Sequence, residues 1–177
     1  MSPHAPVVLV ADLGGSSFRV ALFGPSGEER ARVQHALTLD SEADPAFWLA
    51  EFDALIAEAL AAAGEPRVAA IAITAFTRTE IYLDREARVV RPAITFRDTR
   101  AVAEASDIDS RLGARGAITV FSPLARLAWL RRHEPRRFGR IARILQPKDF
   151  IAFHLTGVAA SDPASNAPLV GETRRYL

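Results

Sequence analysis

Val7-Val8-Leu9-Val10-Ala11-Asp12-Leu13-Gly14-Gly15-Ser16-Ser17-Phe18-Arg19-Val20-Ala21-Leu22-Phe23 decides the fold of this 177-residue chain. The run from Val7 to Ala11 is continuous, apolar and rich in β-branched residues, which predicts a strand buried on both faces. Phe18 to Phe23 predicts a second strand, and the glycines and serines between them form a tight connection. Gly24-Pro25-Ser26-Gly27 is turn chemistry, so the alternating stretch Arg30 to Leu37 reads as a third strand folding back on the second. The chain therefore opens with a three-stranded antiparallel meander.

Further along, Asp44 and Pro45 form a helix start, with proline at the first helical position. Trp48, Phe52, Leu55, Ile56, Ala59 and Leu60 then recur at helical spacing, and Gly64 with Pro66 closes the element. Val68 to Thr74 predicts another buried strand, and Ile81 to Leu83 with Val89 and Val90 a hairpin around Asp84. Helices are expected within Asp98 to Leu112, after Ser122-Pro123, and from Pro147 to Leu155 with Gly157 as terminator. A short strand is expected at Ile141 to Leu145. The tail from Ser161 to Leu177 has small and polar residues and no closing element. Three antiparallel strands, a helix, a fourth strand and further αβ units make an α/β domain with a mixed sheet and helices on both faces, an order that suits a ribonuclease-H-like fold.

Composition narrows the chemistry. The net charge is +1, so no overall field draws the chain to nucleic acid or to a membrane surface. Arg126, Arg131, Arg132, Arg136, Arg137, Arg140 and Arg143 form a basic run, read as a solvated helix face. With no cysteine, disulfide frameworks, thiolate metal sites and cysteine nucleophiles are excluded, and a cytoplasmic location is the expectation. The apolar run Val7 to Val10 is too short for a signal-peptide core or a membrane span.

The turn from Asp12 to Arg19 is the first candidate site. Its two glycines, Gly14 and Gly15, and two serines, Ser16 and Ser17, let backbone N–H groups approach an anion closely, and phosphate is the natural guest. Asp12, at the strand end, could hold hydrated Mg²⁺ through water, because Mg²⁺ keeps most of its water and takes one or two carboxylates beside nucleotide phosphates. Arg19 is the nearby charge partner. The same residues also suit a plain tight hairpin with Asp12 capping the turn. No Gly-Lys-Ser/Thr follows, so this is not a Walker A loop, and a Gly-x-Gly-x-x-Gly fingerprint would open a helix instead of a hairpin.

Val10 to Arg19 resembles the phosphate motif of the FGGY family of carbohydrate kinases, within the sugar kinase, Hsp70 and actin superfamily. Later segments agree in order. Ile71-Ala72-Ile73-Thr74 through Tyr82-Leu83-Asp84 is similar to the family's Gly-Ile-Thr-Gly-Gln-Met-His-Gly…Leu-Leu-Asp, and Arg91-Pro92-Ala93-Ile94-Thr95-Phe96-Arg97-Asp98-Thr99-Arg100 to its Arg-Pro-Ala-Ile-Leu-Trp-Asn-Asp-Thr-Arg. Leu127-Ala128-Trp129-Leu130…Glu134-Pro135, Pro147-Lys148-Asp149-Phe150, Leu155-Thr156-Gly157 and Ser161-Asp162-Pro163 match further family segments. The resemblance implies an actin-type ATPase domain, ATP and Mg²⁺ as cofactors, and transfer of the γ-phosphoryl group to a sugar or polyol hydroxyl. By the same resemblance, residues 1–177 form the N-terminal kinase domain, incomplete at its C-terminal end, and a homodimer is expected of the full-length protein. The base aspartate lies beyond Leu177, and the second domain, with most adenosine contacts, is absent.

The resemblance places sugar contacts at Thr77 and Arg78, with a ketopentose such as xylulose as the substrate expected. Here the family's Gln-Met-His is replaced by Phe76, Thr77 and Arg78. Arg78 offers a forked donor set where those relatives place an imidazole. Asp98 and Asp149 sit in segments that read as structural, and Phe121 reads as a core aromatic. The alternative is a catalytically inactive sugar-binding or interaction module that keeps the fold.

Overall fold

The computed structural model describes residues 5–165. In chain order its elements are β1 (Val7–Leu13), β2 (Ser17–Phe23), β3 (Glu29–Ala36), β4 (Glu42–Ala43), α1 (Pro45–Ala62), β5 (Val68–Ala75), β6 (Ile81–Leu83), β7 (Ala93–Ile94), α2 (Val102–Leu112), α3 (Pro123–His133), α4 (Pro135–Phe138), β8 (Arg143–Leu145) and α5 (Pro147–Thr156). They fall into two compact units, whose described parts are 5–39 with 46–76, and 40–45 with 77–165.

The first unit is built on a four-stranded sheet in the order β3-β2-β1-β5. β2 is antiparallel to both β1 and β3, which is the expected meander, and β5 runs parallel to β1, so the sheet is mixed. The first hairpin's register sets Asp12 opposite Arg19, and β5 brings Thr74 beside Asp12. At the second turn Gly27 has φ of 80°, a left-handed conformation that a side chain would strain. α1 lays its apolar stripe on the sheet: Phe52 stacks on Phe18 with ring centroids 6.0 Å apart, and Trp48 meets Phe76 edge-on at 5.5 Å. Phe52, Leu55 and Ala59 are fully buried beneath it. Left-handed Gly64 follows the helix end, as its position predicted.

Two expectations about burial need correction. β1 is buried along Val7, Leu9, Ala11 and Leu13 but not on its other side, where Val8 is 40% exposed. β5 is exposed over much of its length, with Ile71 at 42%. An apolar run shows that a strand can be buried, and it does not count how many faces are covered. Here α1 covers one side and β5 lies at the sheet edge.

In the second unit, β6 pairs with β8 and β4 with β7, both antiparallel. Asp84 organises the turn after β6: its Oδ1 accepts the N–H groups of Glu86 and Arg88, and Leu83 bridges to Val89. α5 starts with Pro147 and a capping box between Gln146 and Asp149, and it ends at left-handed Gly157, as expected from sequence. Tyr82, Val90, Ile94 and Leu130 form one apolar cluster, while Ala101, Ala105, Ile118 and Ala125 form another. The tail residues 166–177 lie outside the described residues.

Within the arginine run, Arg126 departs from the solvated face assigned to it. Its side chain has no exposure and pairs with the equally buried Glu80. Arg131, Arg132, Arg136, Arg137, Arg140 and Arg143 remain exposed.

Candidate active site

The predicted phosphate residues converge in the first unit, at the carboxyl end of β1. Gly14 N–H donates to the Ser17 carbonyl at 2.9 Å, closing a turn so tight that a Cβ on Gly14 would stand 3.1 Å from that carbonyl. Ser16 accepts from Leu37 N–H through its carbonyl. Among the described residues the N–H groups of Gly15 and Ser16 make no hydrogen bond, which leaves two adjacent donors for an anion. The Asp12 carboxylate, 42% exposed, is held by Arg19 Nη1 at 3.2 Å. Arg19 also donates through Nε to Gln34 at 3.3 Å, so the meander itself aims the pair.

This donor set fits a nucleotide phosphate with hydrated Mg²⁺: free N–H groups for phosphate oxygens and one solvated carboxylate for the water shell. No group of three or more His, Asp or Glu side chains that could hold a metal ion occurs among the described residues. Any metal here would therefore share its coordination with phosphate and water.

Thr77 and Arg78 belong to the second unit, where they line a cavity of about 310 Å³ with Glu80, Thr119, Phe121 and Ser165. Arg78 is a non-glycine residue at φ of 58°, a conformation that stores strain and persists only where the surroundings impose it. Its carbonyl is pinned by Arg126 Nη1 at 2.7 Å, and its guanidinium lies 5.4 Å from the Phe121 ring centroid. No carboxylate pairs with Arg78 among the described residues. Phe121 is half-buried and lines the cavity, correcting its assignment to the core.

Arg126, like Phe121, is a residue that sequence reasoning placed wrongly. Besides Glu80 Oε2 and the Arg78 carbonyl, it donates to the carbonyls of Ile94 at 3.2 Å and Thr95 at 2.7 Å. Burial pushes the Glu80 carboxyl up to about 7, against the pull of the Arg126 charge and hydrogen bond. The sequence offers only a partial pointer: an acid inside the strand-forming stretch Glu80-Ile81-Tyr82-Leu83 asks for a buried cation but does not say which one.

The other acids serve the framework. Asp98 is buried and receives Arg100 Nε at 2.8 Å, and Asp149 completes the α5 cap. Lys148 bridges Asp149 to Asp162, with Nζ 2.8 Å from the latter. Hydrogen bonds from Lys148 and Ser165 hold the Asp162 carboxyl well below the usual carboxylate range. A larger cavity of about 840 Å³ in the same unit is lined mainly by apolar residues, Leu127, Phe138, Ile141 and Ile144 among them, which suits no polyhydroxylated guest.

Residues 7–169 match the model of the FGGY family of carbohydrate kinases, N-terminal domain. The chain belongs to this family. It is 33% identical over 171 residues to the xylulose kinase of Escherichia coli K12, covering 88% of this chain and 34% of that protein. It is 31% identical over 168 residues to the xylulose kinase of Klebsiella pneumoniae, covering 88% and 35%. The crystal structure of xylulose kinase from Rhodospirillum rubrum superposes with a TM-score of 0.88 at 27% identity, over 94% of this chain and 38% of that one. This FGGY chain thus spans about a third of the length of the curated relatives it matches, and its fold is that of the actin-type ATPase domains. No helix among the described residues is long and apolar enough to cross a membrane.

Proposed function

We propose that this chain is the N-terminal part of an ATP-dependent carbohydrate kinase acting on a ketopentose such as xylulose, and that residues 1–177 do not complete the reaction alone. The observation that carries the reading is the β1–β2 turn, with two free N–H donors beside a solvated carboxylate at a strand end. Gly15 and Ser16 hold phosphate oxygens, Gly14 permits the turn, and Ser17 closes it. Asp12, oriented by Arg19, holds the water shell of Mg²⁺. When bound, Mg²⁺ neutralises charge developing on the phosphates.

Thr77 and Arg78 bind the sugar. Arg78 donates to hydroxyl oxygens, and its strained backbone, fixed by Arg126, sets the angle of approach. Proton removal from the attacking hydroxyl needs a free carboxylate. Asp98 and Asp149 are committed to Arg100 and to the α5 cap, which supports a base supplied by residues following this chain. The exposed apolar strand β5 supports the same view, since such an edge is ordinarily covered.

A second reading, an inactive sugar-binding module, is favoured by Phe76, which packs on Trp48 at the place where the resembled family motif has Gln. ADP production from ATP, Mg²⁺ and xylulose, measured for the full-length gene product and for residues 1–177, separates the two. The kinase reading expects turnover by the former only. Binding of a sugar by the full-length product without any turnover would replace it with the module.

A further inference from the structure

The segment that follows α5 supplies part of the second-unit cavity through Ala164 and Ser165. No helix or strand carries these residues, so side chains must hold them. Lys148, in the first turn of α5, places Nζ 2.8 Å from Asp162 Oδ2 and also pairs with Asp149, which accepts the Ser161 hydroxyl. Asp162 in turn takes both donors of Ser165, the N–H on Oδ1 at 2.8 Å and the hydroxyl on Oδ2 at 2.7 Å. A lysine at a helix start thus anchors a cavity wall through one carboxylate.

This chain of contacts fixes what the Ser165 hydroxyl can do. The Lys148 and Ser165 hydrogen bonds hold the Asp162 carboxyl well below its usual range, so it is ionised near neutral pH. A carboxylate only accepts, so the Ser165 proton is committed to Asp162 and its oxygen offers lone pairs alone to any other partner. Ser165 makes no further hydrogen bond among the described residues. The anion behind it strengthens that oxygen as an acceptor.

Arg78 brings the reverse polarity to the same cavity, because a guanidinium donates and never accepts. Ser165 is half-buried and Arg78 exposed, so neither residue is sealed from a ligand. A ligand hydroxyl serves either one, donating to Ser165 or accepting from Arg78. A carboxylate or phosphate oxygen serves Arg78 alone, and at Ser165 it would meet lone pairs with the Asp162 charge behind them.

We propose that Ser165 is a substrate-contacting residue whose Oγ accepts a hydrogen bond from one hydroxyl of a neutral polyol, and that Asp162 and Lys148 are positioning residues acting through it. This rests on reading the cavity as the polyol site. Selectivity follows, because a sugar acid that presents its carboxylate to Ser165 is rejected.

Titration calorimetry of the full-length gene product with xylulose and each of its singly deoxygenated analogues reads the contact. Ser165→Ala is expected to weaken xylulose binding roughly 3- to 10-fold, the loss for one neutral hydrogen bond. The analogue lacking the matched hydroxyl should bind wild type and S165A alike, since the contact is already gone. A Ser165 that only supports the wall would weaken every analogue equally, or lower Tm and spare affinity, and either result overturns the assignment.

Lys148→Met should weaken xylulose binding on its own and add nothing on top of S165A. Additive losses would overturn the positioning role. If S165A does not fold, K148M against the same series decides: it should spare the same single analogue, and an equal loss throughout overturns the proposal. If no ligand of the series binds wild type, the polyol reading fails and Ser165 with it; if they bind and S165A changes none of them, only the Ser165 assignment fails.

Discussion

Replacing Arg126 by methionine tests the buried core of the second unit. The guanidinium has no exposure, and its loss strips Glu80 Oε2 and the Arg78 carbonyl held at 2.7 Å. The Ile94 and Thr95 carbonyls keep the N–H groups of Glu80 and Asp98 as donors, and the Asp98 carbonyl, at 3.4 Å, was scarcely held. The orphaned carbonyl costs about 1–2 kcal/mol, and removing one partner of a buried ion pair costs about 3–5 kcal/mol in all. That is a large fraction of an ordinary domain's stability.

The size of the loss depends on pH in a definite direction. Glu80 has its folded-state value raised from 4.5 to about 7, so its contribution is fully present below 4.5 and is lost as pH rises through about 7. Without Arg126 the carboxyl rises further. The R126M penalty is therefore smaller at pH 5.5, where Glu80 is protonated with or without Arg126 and only the Arg78 carbonyl suffers, than at pH 8, where the cation that favours the ionised carboxylate is lost as well. Urea unfolding of the purified protein at both pH values measures this as a shift in midpoint at constant m. A penalty under about 1 kcal/mol, or one that does not grow with pH, would refute the reasoning.

His35 on β3 is gripped by Glu51 at 2.7 Å and Glu58 at 3.1 Å on α1, and the Glu51 hydrogen bond, with both negative charges, raises its pKa above 6.5. Its stabilisation is full below the unfolded value and fades as pH climbs through the folded one, so Tm should fall from pH 6 to pH 8, and His35→Gln should flatten that slope. Gly14→Ala pushes a methyl to 3.1 Å from the Ser17 carbonyl, and a loss of about 1 kcal/mol with a raised ATP KM is expected in unfolding and steady-state assays. Asp12→Asn leaves the hairpin folded but removes the carboxylate proposed to hold the water shell of Mg²⁺. Turnover should fall by about 100-fold or more while sugar affinity, read by calorimetry, holds.

The meander, α1 and α5 were legible because their signals are local: turn residues at Gly24 to Gly27, proline at a helix start, glycine at a helix end. The Asp12–Arg19 pair was legible because a tight hairpin puts its flanking residues opposite each other. Arg126 was not, because its burial depends on Glu80, 46 residues earlier in the chain, and a basic residue among six others looks solvated. The two-residue pairing of β4 with β7 carries no periodicity to read. Exposure of β5 was invisible for a different reason, since hydropathy records what a strand tolerates and says nothing of its neighbours.

The Glu80–Arg126 pair poses a question that stability alone does not answer. Replacing a buried ion pair by apolar residues of similar volume is often neutral or stabilising. A methionine at 126 facing a leucine at 80 could fill this space, yet it could not hold carbonyls arriving from Arg78, Ile94 and Thr95 on one planar fork. The ions are kept, on this argument, for the geometry they impose on Arg78. The double variant Glu80→Leu with Arg126→Met should then regain at least half of the stability lost by R126M, because no charge is left buried. Polyol affinity should not return with it, since Arg78 is no longer held at its strained φ. Recovery of both together would mean that the pair only fills the core, and loss of both would mean that the carbonyls, not the charges, dominate the energetics.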